Sequence, residues 1–441
     1  MILSYFKQAL RSIGQNKLFS AIYIAGTALA IASTTVFAIV YYIKYAPVYP
    51  EYNRPRTATI DRVYYNQEHT QLSGIFYDLA KDLLANVENA EVVAMSFDGN
   101  GIPKRVNYND AKSYLAVNVK PVNPAYFTVF PFEFIDGRPF NQTEFESEAP
   151  IAAISDGVAL KVFGTTEGLV GKIISLNYKD YNICGVFREG SRLCSNSFAE
   201  IFIPFTVIPN YDKRSDMQKL LITGYYTINY LTDNIVALQA ELNDITRRLN
   251  SQQKDVDANG QEVEEYFLDN CLKDNFRMAF EDDSVFNKNN DENSSSNIIK
   301  KVIFILLVLL IVPALNLSGI IAGYMEERRG EIGVRKSFGA TNGKMLRQIL
   351  WENLILTVLG GIIGLVAAWL IICFGSNWIF VSIGDFVISD TNAVRINPDM
   401  LFAPAIFIFS FTICLLMNLL SALLPAKLAL RKPIVETINS K

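Results

Sequence analysis

The sequence predicts a membrane α-helical chain of four spans carrying a large extracytoplasmic α+β domain, and three observations predict it. Of 441 residues, 50 % are hydrophobic and only 19 % charged, where a soluble chain carries about a quarter charged residues. Four stretches run without a charge for longer than the roughly 20 residues that cross hydrocarbon as a helix: Lys17 to Lys44, Lys301 to Glu326, Glu352 to Asp385 and Asp399 to Lys427. Between the first two lies a segment of roughly 255 residues, mixed in polarity and long enough to bury its own core. The net charge of −4 and pI near 5.4 argue against a nucleic-acid binder. With a single histidine, His69, a His-based zinc site or a Ser/His/Asp triad lacks its parts.

Residues 1–18 carry Lys7, Arg11 and Lys17 and no acid, and the first span follows at 19–43. A basic start before an apolar run also describes a signal peptide, and Ala28-Leu29-Ala30 offers small residues for cleavage. The run continues well past that point, however, and a signal's apolar core is only about 7–15 residues, so a retained helix is expected.

The outside domain occupies 44–298. Thr57 to Tyr65 is β-branched and aromatic; Leu72, Ile75, Leu79, Leu83 and Val87 recur at helical spacing; Val92 to Phe97 returns to extended character. A second such unit follows, with a strand at Tyr225 to Leu231, a helical stripe at Ile235, Leu238, Leu242, Ile245 and Leu249, and an extended piece at Tyr266 to Leu268. Two β-α-β units so far apart predict one α+β subdomain, about 50–114 and 198–280, split by an insertion. The insertion, about 115–197, has short apolar runs broken by Pro, Gly and Asn and reads as mostly β. Cys184 and Cys194 are spaced to close a short disulfide loop, although five cysteines leave one over. Glu281 to Asn297 is an Asp/Asn/Ser-rich approach to the second span.

The second span is placed at 299–324, a loop at 325–350, the third span at 351–376, a short loop at 377–400, the fourth span at 401–424 and a tail at 425–441. Tyr41, Tyr42, Tyr324, Trp351 and Trp378 fall near span ends, where amphipathic rings favour the interface. Positive charge sets the orientation. Arg328, Arg329, Arg335, Lys336, Lys344 and Arg347 crowd the 325–350 loop, and Lys427, Arg431, Lys432 and Lys441 the tail, whereas the 377–400 loop has only Arg395 against Asp385, Asp390 and Asp399. Both termini and the middle loop are therefore expected in the cytoplasm and the large domain outside. Gly360 and Gly364 form a small-x-x-x-small pair that serves either close helix packing or a dimer interface. Pro313 and Asn316 mark either a bend that moves or an internally satisfied kink.

No cofactor or metal is expected. The string nearest to a phosphate-binding loop, Gly339-Ala-Thr-Asn-Gly343-Lys344-Met345, is one residue short and ends in a methionine that cannot ligate magnesium. The informative segment is Glu326 to Thr341, whose charges alternate in sign around a thin apolar stripe of Met325, Ile332 and Val334. Such a helix lies along a membrane surface or inserts into a groove on a partner; an ordinary positively charged loop is the alternative reading.

This segment resembles the signature of MacB/FtsX-like ABC permeases, a Glu-Arg-x-x-Glu-Ile-Gly-x-Arg-x-x-x-Gly-Ala string after the second span. It is matched by Glu327, Arg328, Glu331, Ile332, Gly333, Arg335, Gly339 and Ala340. Phe6 to Ala30, Pro425 to Ala429 and Pro433 to Glu436 resemble the same family's first span and tail. Phe134 to Phe140, Phe163-Gly164, Gly171-Lys172 and Cys184-Gly185-Val186 resemble its MacB-type periplasmic core. The resemblance implies a split Porter-like part with an inserted Sabre-like part in a bacterial inner-membrane permease. It further implies a separate cytoplasmic ABC ATPase dimer that binds ATP and magnesium, and a second permease copy or related permease. A periplasmic adaptor or outer-membrane channel completes the partners it implies. The permease itself would be no enzyme but would transmit the ATPase's work to the outside domain, in efflux or lipoprotein release, or as an FtsX-like signal relay. Glu327, Arg328, Glu331, Arg335 and Lys336 would be polar contacts to the ATPase, Ile332 and Phe338 apolar anchors, and Gly333 and Gly339 points of close approach. Lipid headgroups compete for the arginines.

Overall fold

The structure, a computed structural model, describes residues 17–65, 71–85, 87–108, 113–192, 194, 196–212, 224–252, 255–256, 262–263, 266–268, 271–273, 295–383 and 404–431. His69, the 1–16 segment, the Asn/Ser-rich approach up to residue 294, the acidic loop 384–403 and the tail beyond Arg431 lie outside these residues. The chain divides into two units, one of residues 43–295 with 383–399, the other of 1–42, 296–382 and 400–441.

In the outer unit the chain runs through β1 (Thr57–Ile60), β2 (Arg62–Tyr65), β3 (Gln71–Gly74), α2 (Tyr77–Ala85), β4 (Val92–Gly99), β5 (Arg105–Tyr108), β6 (Ser113–Ala116) and β7 (Val119–Val122), α1 (Lys17–Tyr45) having preceded it. It continues through α3 (Tyr126–Val129), β8 (Phe134–Gly137), α4 (Gln142–Glu146), β9 (Ile151–Ser155), α5 (Asp156–Phe163), β10 (Ile173–Leu176), β11 (Lys179–Phe187) and β12 (Ile201–Pro204). It closes with β13 (Gly224–Leu231), α6 (Ile235–Gln252), β14 (Asp255–Val256), β15 (Glu262–Val263) and β16 (Tyr266–Phe267).

The two expected β-α-β units share one sheet through β1, β4 and β13, while β16 pairs with β2 in a separate three-stranded sheet. β13 pairs antiparallel with β4 from Gly224 opposite Gly99 to Leu231 opposite Val92, and with β1 on its other side. Their helical stripes supply Leu79, Leu83, Leu238, Leu242 and Ile245 to the core beneath. The first stripe is corrected: Leu72 stands in β3, paired with Tyr64 of β2, Ile75 bridges to Tyr226, Val87 follows the helix, and only Leu79 and Leu83 fall within α2, which begins at Tyr77. The insertion is mostly β but wider than 115–197, because β5 and β12 at its ends join its strands. The sheet runs on from β4 through β7, β12, β9, β11, β10 and β5 to β6. Ser155 caps α5 by accepting from the Val158 amide, and Asn141 with Glu144 closes a capping box on α4. A cluster of aromatic side chains including Tyr126, Phe127, Phe130, Phe140, Phe187 and Phe202 fills a second core. The expected Cys184–Cys194 bridge does not form. Both thiols are free, Cys184 in β11 and Cys194 in the following loop with its Sγ 3.7 Å from the Tyr49 carbonyl oxygen.

The other unit gathers α1 with α7 (Ser295–Glu327), α8 (Arg329–Ser337), α9 (Asn342–Ile383) and α10 (Pro404–Arg431). Among the described residues three helices are long and apolar enough to cross a membrane, at Lys17–Val40, Asn342–Phe374 and Phe407–Leu428. The second expected span, 299–324, lies within α7, where many side chains, those of Pro313 and Asn316 included, are outside the described residues. Leu29, Phe304, Ile362, Phe374, Ile408 and Leu420 stand exposed while Thr27, Thr35, Thr357 and Asn418 are buried. That inversion suits hydrocarbon as the solvent, since isolated apolar faces this large do not face water. Helix α10 continues through Pro425 to Arg431, so the last span's helix runs into the expected tail and buries Ala426 and Leu430.

Gly360 and Gly364 are occupied within the chain. A Cβ on Gly364 would lie 2.6 Å from the Ala28 carbonyl oxygen, and one on Gly360 would lie 2.9 Å from Thr27 Cβ. The small faces therefore let α9 lie against the backbone of α1. The Tyr23 and Thr357 hydroxyls share a 3.1 Å hydrogen bond at the same seam. Within the chain, these glycines are occupied by α1.

Candidate functional site

The segment between α7 and α9 folds as a helix of its own because its ends carry the right residues. Arg328 breaks the run from α7, and Glu331 in the first turn and Arg335 and Lys336 in the last complement the helix dipole. At the C-terminus the Ala340 amide donates to the Arg335 carbonyl and the Gly339 amide to the Lys336 carbonyl. This six-to-one and five-to-two pair is a Schellman cap, which needs a left-handed residue, and Gly339 has φ +84°. The Gly-Ala end of the signature is thus a helix stop. Thr341 opens α9, its Oγ1 accepting from the Lys344 amide at 3.4 Å.

Arg328 is the hub of the site. Its Nη1 donates to the Tyr324 hydroxyl and to Glu352 Oε2, both at 2.9 Å, while Nε and Nη2 donate to the two carboxylate oxygens of Glu331 at 2.8 and 3.1 Å. Glu331 also accepts from Arg335 Nη2, and Arg335 Nη1 donates to Gln348 Oε1 at 2.9 Å. Gln348 Nε2 closes the ring by donating to Glu352 Oε1 at 3.1 Å. Burial opposes the Arg328 charge, but the bonds to Glu331 and the charge of Glu352 outweigh it and hold its pKa above the ordinary value. The Arg328 hydrogen bonds in turn hold Glu331 below the usual carboxylate range. Lys336 Nζ donates to the Leu430 carbonyl at 2.6 Å, fastening α8 to α10.

The apolar side of α8 completes the attachment. Ile332 is buried with Met325, Tyr324, Met345, Ile349 and Leu430, and Ala340 packs against the same cluster. The cleft left between Ile332, Arg335, Gln348 and Ile349 measures about 20 Å³. That is room for about one water molecule, so the cleft is a joint between packed side chains.

The structure therefore redistributes the residues singled out in the sequence. Arg328, Glu331 and Arg335 are spent on one another and on α9, Ile332 sits in the chain's own core, and Gly339 and Ala340 form the cap. The role of Ile332 as an anchor in a partner is corrected, since it is only 7 % exposed. Gly333 is buried as well. What faces outward is Glu327, Val334 and above all Phe338, at 88 % exposure. Tyr324, expected at an interface with lipid, is buried and holds Arg328. The residues missed from sequence are Gln348 and Glu352. They stand four apart on one face of α9 at the edge of a span, an acid where apolar residues are the rule, and that was the readable signal.

Residues 20–247 match the MacB-like periplasmic core domain family, and residues 303–434 match the FtsX-like permease C-terminal family. The chain is 24 % identical over 262 residues to the uncharacterized ABC transporter permease YknZ of Bacillus subtilis, covering 59 % of this chain and 58 % of that protein. It is 22 % identical over 378 residues to the macrolide export ATP-binding/permease protein MacB of Escherichia coli K12, covering 84 % of this chain and 53 % of that one. The chain thus spans a little over half the length of these two relatives. Among solved structures, the extracellular domain of YknZ aligns with 47 % of this chain and 97 % of its own, at 21 % identity and a TM-score of 0.31.

Proposed function

This chain belongs to the ABC transporter permeases that join a MacB-like periplasmic core domain to an FtsX-like permease domain, and on that premise we propose that it transmits mechanical work across the membrane. In this reading a separate cytoplasmic ABC ATPase dimer binds ATP and magnesium, and its closure displaces α8. The four spans, with both termini in the cytoplasm, carry that displacement to the outer domain, which acts on an exported or periplasmic substrate. Each state is favoured only by contacts it gains over the other.

The observation that carries the reading is the mounting of α8. A helix held by Arg328, Lys336 and Ile332 to α9 and α10 cannot move alone, so whatever displaces it displaces the bundle. Its outward Phe338 gives a partner an aromatic anchor, the kind of residue that concentrates binding energy in a protein interface. The signature's charged residues then serve to set the angle at which Phe338, Val334 and Glu327 are presented. The two-part outer domain favours the MacB-like form of the mechanism over an FtsX-like relay, whose outside domain is smaller.

A photo-activated cross-linker placed at Phe338 tests this in the native membrane. The proposal expects a covalent adduct with an ABC ATPase from position 338 and none from position 332, which faces the chain's own core. Adducts only with lipid from position 338 would sink it.

A further inference from the structure

The segment that leaves α1 is held by charge where a plain linker would serve. Arg54, 6 % exposed, donates from Nη1 to the carbonyls of Ile43 and Ala46 at the end of α1 and from Nε to Glu51. Glu51, 2 % exposed, accepts through Oε1 from the Ser197 amide at 2.9 Å and the Ser197 hydroxyl at 2.7 Å. Tyr49 donates to the Arg188 carbonyl and accepts from the Glu133 amide at 3.2 Å. From the far side Lys120 Nζ and Tyr126 Oη both donate to the Asn196 carbonyl, at 2.6 and 2.7 Å. All of these residues lie in the outer unit.

Stability does not call for such a pair. Taking two charges out of water costs several kcal/mol per ion, and apolar side chains of similar volume would hold the segment as well. A hydrogen-bonded chain adds direction and register, because it has one geometry and does not slide. Here it runs from the Ile43 carbonyl in the last turn of α1, and the Ala46 carbonyl just beyond it, through Arg54 and Glu51 to Ser197, four residues before β12, a strand in the middle of the sheet between β7 and β9.

We propose that Glu51 and Arg54 are positioning residues that fasten the end of α1 to the 188–200 loop, so that displacement of the helix passes into β12. The assignment rests on the transmission reading above. It is tested on the full chain in lipid nanodiscs with the ATPase that co-purifies with it, by hydrogen exchange with and without ATP. In the unsubstituted protein ATP should change exchange both in α8 and in 188–212. Glu51→Gln keeps the shape and removes the charge. It should leave the ATP-dependent change in α8 intact and reduce that in 188–212 at least fivefold while the outer unit still folds, at an unfolding temperature lowered by the loss of one partner of a buried pair. Where that variant does not fold, Ser197→Ala, which deletes only the hydroxyl bond, should reduce the change in 188–212 about twofold. A full ATP-dependent change in 188–212 in the variant overturns the assignment. If ATP alters neither segment in the unsubstituted chain, the transmission reading falls and the assignment with it.

Discussion

Arg328→Met asks whether α8 is mounted as described. Arg328 Nη1 lies 2.9 Å from Glu352 Oε2, with side-chain exposures of 17 % and 8 %. The substitution leaves a buried carboxylate with only the Gln348 bond, and breaking a buried pair from one side costs about 3–5 kcal/mol. The Glu331 arm adds under about 1 kcal/mol, because that carboxylate is 42 % exposed. A loss of about 3 kcal/mol corresponds to roughly a hundredfold more frequent opening, since each 1.4 kcal/mol is a factor of ten. Hydrogen exchange in detergent should show the amides of 332–340 exchanging about that much faster, with α1 and the middle of α9 unchanged. Adding Glu352→Gln removes the stranded charge and should restore most of the protection, as expected when both members of a buried pair are neutralised. Exchange that ignores Arg328→Met, or a double variant no better than the single, would refute the network as the mounting of α8.

Gly364→Ala puts a Cβ 2.6 Å from the Ala28 carbonyl oxygen, a backbone atom that cannot swing away, and should cost about 1–3 kcal/mol in detergent thermal unfolding, whereas Gly330→Ala meets open space and should cost no more than surface helix changes do. Because Glu331 titrates below its ordinary value when folded, its contribution is complete above about pH 4.5 and lost as the pH falls through the lowered pKa; α8 exchange, corrected for intrinsic rate, should be as protected at pH 5 as at pH 7 and loosen only in more acidic buffer. Burial pushes the Cys184 thiol up to about 12 and raises Cys194 further, so a maleimide at pH 7.5 should label neither until the outer unit is denatured.

What the sequence disclosed follows the range of the forces involved. Charge-free runs and the 3.6-residue stripe at Ile235 to Leu249 are local signals: among the described residues three of the runs lie in helices long and apolar enough to cross a membrane, and the stripe became a helix that buries Leu238, Leu242 and Ile245. Leu72 misled because its spacing to Ile75 and Leu79 fits a helix, while pairing with Tyr64 across the hairpin decides its conformation. The signature near Glu331 was legible as a motif but not as a role. Its decisive partner, Glu352, is 24 residues from Arg328 and entered the reading only as the charge that closes a span. In the same way, Cys184 and Cys194, ten positions apart, suggested a bridge, yet one thiol is fixed in a strand and the other is drawn to Tyr49. The Glu51–Arg54 pair is adjacent in sequence, but its meaning depends on Ser197, which no local pattern reveals.

The central claim, that an ABC ATPase docks on the exposed end of α8, is tested most directly by affinity purification of the full chain in mild detergent with an assay of ATP hydrolysis. Phe338 is 88 % exposed and holds nothing of the core, so Phe338→Ala should leave the unfolding temperature unchanged. The account predicts a stoichiometric ATPase with the unsubstituted chain and at least a tenfold loss of it with Phe338→Ala, the effect of removing an interface anchor. An undiminished ATPase yield from Phe338→Ala, or a folded chain that brings down no ATPase at all, would contradict it.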